Sequence, residues 1–278
     1  MAQLKVKPKI DIAFKKIFAD NEELLKGLIS AALELQNAKK ITLKPNEVTP
    51  ARVDEKFCRL DIRAEVDGIE LDIEIQLLDR DDFKTRSEYY SSLLFAHLKK
   101  GKSYNKIPKT VLICIVDFEA FPNYDDYHSC FVPMERTRHE ILTDKKEIHY
   151  FELKKIAKIK NAQKEIEHWL KLIAAETESD IAELEKNTSN EKIQSALVEV
   201  QRLNKDTAFI REVEAREIQL YEEQSALEAA KVEGRAEGEL KKTIEMAKTI
   251  LKLGYLTIEQ ISETTGLTIE EIEALAKK

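Results

Sequence analysis

Four polar side chains alternate along one short run: Glu70, Asp72, Glu74 and Gln76 in "IELDIEIQ", residues 69–76. Ile69, Leu71, Ile73 and Ile75 fill the positions between them. Such alternation is the pattern of a β-strand with one polar and one apolar face. Directly before it stands "RLDIRAEVDG", a second strand pattern that closes on Asp67-Gly68. An Asp-Gly pair between two such runs specifies a two-residue hairpin loop. Counting back from that loop sets Val66 against Ile69, Ala64 against Leu71, Ile62 against Ile73 and Leu60 against Ile75. On the other face Asp61 then opposes Glu74, Arg63 opposes Asp72, and Arg59 opposes Gln76. Opposed like charges on a sheet are destabilising, because their Cβ atoms lie only about 4.5–5.5 Å apart. A hard divalent cation, Mg²⁺ or Mn²⁺, is one filler for that gap, and two carboxylates plus water is a ligand set of phosphate-cleaving centres. A solvated acidic face neutralised by Lys56, Arg59 and Arg63, with no ion, is the other reading, and the hairpin alone leaves both open.

The elements that must hold this hairpin fall into two textures. Up to about residue 157, short β-branched runs alternate with helical ones. "NEELLKGLISAALELQ" spaces Leu24, Leu25, Leu28, Ile29, Ala32 and Leu35 as a helix face; "TRSEYYSSLLFAHLKKG" reads as a helix closed by Gly101. The near-continuous apolar run "TVLICIVDF" suits a strand covered on both faces, and "CFVPM" and "IHYFEL" are further short strands. An α/β mixed sheet flanked by helices is the economical assembly. Beyond residue 158 the strand signal ends. Ile166, Trp169, Leu170 and Ile173 mark an amphipathic helix, and Val213, Leu220 and Leu227 recur by sevens like a coiled-coil seam. The end of the chain reads as two short helices, with capping boxes at Thr257–Gln260 and Thr268–Glu271 and a turn at Gly266. The expected organisation is an α/β domain over 1–157, a long helical arm over 158–235, and a helix-turn-helix-like pair within 236–278.

Composition narrows the chemistry. Of 278 residues, 43% are hydrophobic, enough for a real core, while 35% charged points to long exposed helices. The net charge is −7: residues 1–150 carry 25 basic and 26 acidic side chains and the remainder 20 and 26, so a nucleic-acid partner would have to meet local basic patches. Cys58, Cys114 and Cys130 make no CxxC pair and the five histidines are scattered, which argues against a disulfide framework and a zinc site. No signal core and no run of 18 apolar residues is present, so a cytoplasmic protein without membrane contact is expected.

The order of these segments adds a family. An Asp on one strand and Glu-x-Gln on the next, preceded by "DIAFKKIF" and followed by "RSEYYSSLL" and "KKGKSYNKIPKTVLICIVDF", resembles the Rpn-type recombination-promoting nuclease and transposase family of the PD-(D/E)XK superfamily. The likeness runs over most of the first 155 residues, and the tail ending in "ISETTGLTIEEIEAL" is similar to that family's tails. The resemblance implies a restriction-endonuclease-like fold followed by an all-α extension. It implies Asp61 and Glu74 as ligands of Mg²⁺, with Mn²⁺ as a substitute, and the Ile75 carbonyl as a further ligand. Gln76 occupies the place of the superfamily's usual lysine, and an amide orients water but supplies no positive charge. Arg59 across the hairpin and Lys15 from "DIAFKKIF" are candidates to restore that charge. Asp11 matches a recurrent family position as an outer or third acid, or else simply caps a helix. Arg86 is a candidate phosphate holder, whereas Asp79, Asp81 and Asp82 suit a solvated helix start. The implied activity is metal-dependent DNA endonuclease chemistry in recombination, mobile-element movement or defence. A DNA-binding or regulatory protein on a nuclease fold, with weak or no catalysis, is the alternative. The C-terminal helices are expected to form a homo-oligomer rather than to read DNA, since capping explains the acids that open the last one.

Overall fold

The computed structural model describes residues 2–36, 38, 40–45, 47–48, 58–96 and 103–276. The chain divides into two compact units, residues 1–218 and 219–278. In the first, helices α1 (Asp11–Phe18) and α2 (Glu22–Ala32) precede strand β1 (Ile41–Leu43) and the two-residue strands β2 (Glu47–Val48) and β3 (Cys58–Arg59). The hairpin follows as β4 (Ile62–Val66) and β5 (Ile69–Gln76), then α3 (Phe83–Phe95), β6 (Thr110–Val116), β7 (His128–Phe131) and β8 (Lys146–Glu152). Helices α4 (Leu153–Ile156), α5 (Glu165–Ala174), α6 (Glu178–Asn187) and α7 (Glu191–Leu203) come next, and α8 (Thr207–Leu253) follows them.

The main sheet has the order β1-β4-β5-β6-β8-β7, parallel across β5-β6-β8 and antiparallel elsewhere. A mixed sheet flanked by helices is the expected fold class. The hairpin register is the one its loop dictates: Ile62 pairs with Ile73, Ala64 with Leu71 and Val66 with Ile69. Asp67 and Gly68 both adopt positive φ, 48° and 85°, as a tight loop of this hand requires. The central strand β6 is buried throughout, because parallel neighbours and helices leave it no solvent face. "CFVPM" and "IHYFEL" correspond to strands that begin two residues earlier than their apolar runs, at His128 and Lys146.

Helix α3 covers one face of the sheet: Phe83 joins Leu112, Cys114, Val116, Phe118 and Tyr150 in a buried cluster. By register this is also the face of Asp72 and Glu74, which pair with Leu112 and Cys114. Gly101, expected to close this helix, lies outside the described residues. Helices α5 and α7 pack on α2, and α1 lies against β5. Gly27 in α2 makes one approach possible: a Cβ there would stand 2.7 Å from Trp169 Cζ2, so only glycine lets the buried indole seat against the helix. The amphipathic residues Ile166, Trp169, Leu170 and Ile173 all turn inward at this contact.

Glu152 and Lys155 form a buried ion pair at 2.8 Å. The Lys155 ammonium also donates to the carbonyls of Phe121 and Asp126, and Glu152 accepts from the Phe121 N–H. The pair therefore pins the loop after β6 to the end of β8.

In the second unit, α9 (Ile258–Thr265) and α10 (Ile269–Ala276) pack with Ala247 around Ile261, Leu267 and Ile272. Thr257 and Gln260 form the expected capping box, and Thr268 and Glu271 exchange the same pair of hydrogen bonds. Gly266 turns between the helices at φ 75°. No helix among the described residues is long and apolar enough to cross a membrane.

Candidate active site

Asp61 stands at the bend that leads into β4, and Glu74 sits near the end of β5. Each clasps the other's backbone. The Ile75 N–H donates to Asp61 Oδ2 and the Asp61 N–H donates to Glu74 Oε1, both at 3.0 Å. Each acid thus commits one oxygen to the opposite main chain and keeps a second one to offer. On Asp61 that second oxygen, Oδ1, meets Lys15 Nζ at 2.6 Å, so the cation expected from the first helix is present.

Beside Glu74 stands a third acid. Asp72 is completely buried, and no N–H or hydroxyl donor reaches either of its oxygens. Arg63 faces it in register but turns its Nη2 to Glu70 Oε2, at 3.2 Å. The Glu74 carboxyl stands beside Asp72 on the same face of β5, two residues along, and its charge bears on it. Burial first, and then the Glu74 charge, hold the Asp72 carboxyl well above the usual carboxylate range. Burial and the Asp61 charge push Glu74 up to about 8. Two acids that resist ionising side by side make a site that lacks positive charge.

Gln76 has both ends of its amide engaged. Its Nε2 donates to the Leu78 carbonyl at 2.9 Å, and its Oε1 accepts from Arg86 Nη2 at 2.7 Å. The guanidinium lies 5.0 Å over the Phe83 ring, and its Nε is buried without a partner. The amide therefore holds a guanidinium from α3 at the strand end.

Of Arg59 only the backbone is described. The β4-β5 ladder ends at Ile62, and the Arg59 backbone pairs with Glu47 in the separate two-stranded sheet. The bend at Asp61 that lets its carboxylate reach the Ile75 amide also takes the preceding residues off the β5 register. Asp11 is the first residue of α1 and is bound by Arg216, Nε to Oδ1 at 3.0 Å. Asp79, Asp81 and Asp82 are exposed before α3, as a solvated helix start requires.

Whether a divalent ion suits this ground follows from the donors. They are hard oxygens, which favour Mg²⁺ or Mn²⁺ over softer metals. The orphaned oxygens of Asp72 and the opposed acids leave unmet demand for positive charge. Among the described residues no three Asp, Glu, His or Cys side chains converge on one point, so an ion here would rely on two carboxylates, backbone oxygen and water. On those terms the residues fit. Asp72 and the Gln76–Arg86 contact escape a reading by alternation: each depends on α3 folding back over the sheet, for which the strands carry no local signal.

The family model described as PD-(D/E)XK nuclease family transposase matches residues 8–230. No curated protein and no solved structure matches the chain.

Proposed function

Because the chain belongs to the PD-(D/E)XK nuclease family transposases, we propose that it is a DNA endonuclease that hydrolyses phosphodiester bonds with Mg²⁺, or Mn²⁺ in its place, held by Asp61 and Glu74. The reciprocal hydrogen bonds of these two acids across the strand pair are the observation that supports this reading, since they hold both carboxylates at one end of the hairpin. A bound ion would supply acidity to an attacking water and a partner for a phosphate oxygen. The Ile75 N–H is spent on Asp61, and its carbonyl is the further ligand in this reading. Arg86, steadied by the Gln76 amide, offers a fixed guanidinium to the charge that develops on the phosphate, as a preorganised donor should. In these terms Gln76 is a positioning residue for Arg86. Lys15 holds a second positive charge beside Asp61, while Asp11 ties the start of α1 to Arg216.

One observation favours the alternative of a weakly active or inactive DNA-binding protein: Lys15 already neutralises Asp61, so a cation must compete for that oxygen. We further propose self-association through residues 219–278, where Tyr221, Val232 and Leu240 are exposed on α8; light scattering of the full chain would measure it. Cleavage of supercoiled plasmid in Mg²⁺, Mn²⁺, Ca²⁺ or EDTA, beside Asp61→Ala and Glu74→Ala, tests the catalytic reading. Nicking that needs Mg²⁺ or Mn²⁺ and vanishes in both variants is the expected result. Mn²⁺ binding without any cleavage would favour the alternative.

A further inference from the structure

A cavity of about 900 Å³ opens between the segment before α1, the end of β6, and helices α4 to α6. Ligand sites commonly span about 300–1,000 Å³, so this one has room for an extended ligand. It reaches the end of β5 through one residue. Asp117 lines it, and the Asp117 N–H donates to the Gln76 carbonyl at 3.0 Å. Lys9, on the same wall, lies two residues before Asp11.

The charges lining the cavity are not equally available. Lys9 is held by Asp117 at 2.7 Å and by Glu176 at 2.6 Å. Asp180 accepts from the backbone N–H groups of Glu176 and Thr177, at 3.0 and 2.8 Å, at the start of α6. Lys9 is thereby spent on two carboxylates, and Asp180 on the helix start. Lys154, Lys160 and Lys171 also line the space, and among the described residues none of the three is paired with a carboxylate. Lys171 Nζ donates to the Lys160 carbonyl at 3.0 Å, which keeps these two residues together on one rim. Lys154 and Lys160 are exposed. The lining as a whole balances four lysines against Asp117, Glu176, Asp180 and Glu183, so the positive ground is local to the three ammonium groups. The floor is apolar, with Leu153, Ile156 and Leu184 buried beneath. Unpaired ammonium groups over an apolar floor suit a chain of phosphates with sugars packed below. This is also how a protein of net charge −7 can receive a polyanion: through a local set of unpaired lysines.

We propose that this cavity holds the phosphate backbone of the DNA that flanks the scissile bond, with Lys154, Lys160 and Lys171 as its phosphate contacts. The proposal rests on the nuclease reading above and extends it to the path of the substrate.

The test measures binding of a fluorescein-labelled DNA duplex to the full chain in Ca²⁺ over a range of salt. Wild type is compared with the triple variant Lys154→Gln/Lys160→Gln/Lys171→Gln and with Lys205→Gln, an exposed lysine elsewhere. Each lost phosphate contact should flatten the slope of log K against log salt by about 0.9. The triple variant should therefore lose close to 3 in slope, by the same rule, while Lys205→Gln keeps the wild-type slope. Mn²⁺ affinity, unchanged in the triple variant, would show that it is folded and its centre intact. An unchanged DNA slope in that variant would overturn the cavity's role and leave the nuclease reading standing. Equally tight, salt-dependent binding of polyglutamate by wild type would overturn the assignment to DNA backbone. Wild type without salt-dependent DNA binding would remove the nuclease reading together with this proposal.

Discussion

Replacing Glu74 by Gln should stabilise the protein that its loss inactivates. The Glu74 carboxyl has an ordinary value of 4.5 and is pushed up to about 8 in the folded chain, first by burial and then by the Asp61 charge. Its folded pKa thus lies above its unfolded one. Between the two values the native state holds a proton that the unfolded chain has given up, so stability falls as pH rises from about 4.5 to about 8 and levels off beyond. Each pKa unit is worth about 1.36 kcal/mol. At pH 7 the two and a half units already crossed amount to on the order of 3 kcal/mol, which an amide does not lose. For a unit of this size that corresponds to roughly 6–12 °C in Tm. The assay is thermal unfolding in EDTA at pH 5, 7 and 9. The Gln variant should match wild type at pH 5 and exceed it at pH 7 and 9. Saturating Mn²⁺ should raise wild type by about 2.7 kcal/mol at a hundredfold excess over Kd and leave the variant nearly unmoved. Wild-type stability in EDTA that stays flat or climbs from pH 5 to 8 would refute the argument, because the acids would then not be crowded in the native state.

Other substitutions read other parts of the molecule. Arg86→Ala should lower plasmid cleavage by about 10²-fold, the scale of one lost preorganised donor, with Arg86→Lys intermediate. Lys15→Met should tighten Mn²⁺ binding by up to about fivefold in titration calorimetry, since a partly exposed pair is worth at most about 1 kcal/mol. Glu152→Gln leaves the buried Lys155 ammonium without its counter-charge and should cost about 3–5 kcal/mol in urea unfolding. A methyl group in Gly27→Ala meets Trp169 and should cost about 1–3 kcal/mol, visible as a lower Tm.

How far the sequence reaches depends on the range of the interaction. The hairpin is local: a two-residue loop fixes its register, so the meeting of Asp61 with Glu74 follows from counting. Counting reaches as far as Ile62, where the ladder ends; the Arg59 backbone pairs with Glu47. The periodicity of Ile166, Trp169, Leu170 and Ile173 reveals a buried face but not its partner, because Gly27 reads as a weak point in α2 rather than as a seat for an indole. Asp72 reads as one member of a polar stripe with Arg63 opposite. Its isolation arises only when Arg63 reaches diagonally to Glu70 and α3 closes the face. Gln76 reads as a lysine lost, and Arg86, which binds its amide, stands ten positions further on, in an element that returns over the sheet.

The clasp between Asp61 and Glu74 also bears on the order of folding. The two residues are 13 positions apart, and hairpins close in about 1–10 μs. The parallel pairing of Glu74 with Cys114 and the docking of α3 join far more distant segments, and long-range contacts form later. The acids therefore meet while still wet and become crowded only once the face is covered. Their cost falls after the rate-limiting barrier, so Mn²⁺ or acid pH should slow unfolding while leaving the folding rate nearly unchanged. The protein's lifetime in the folded state, more than its speed of reaching it, would then track the supply of divalent cation.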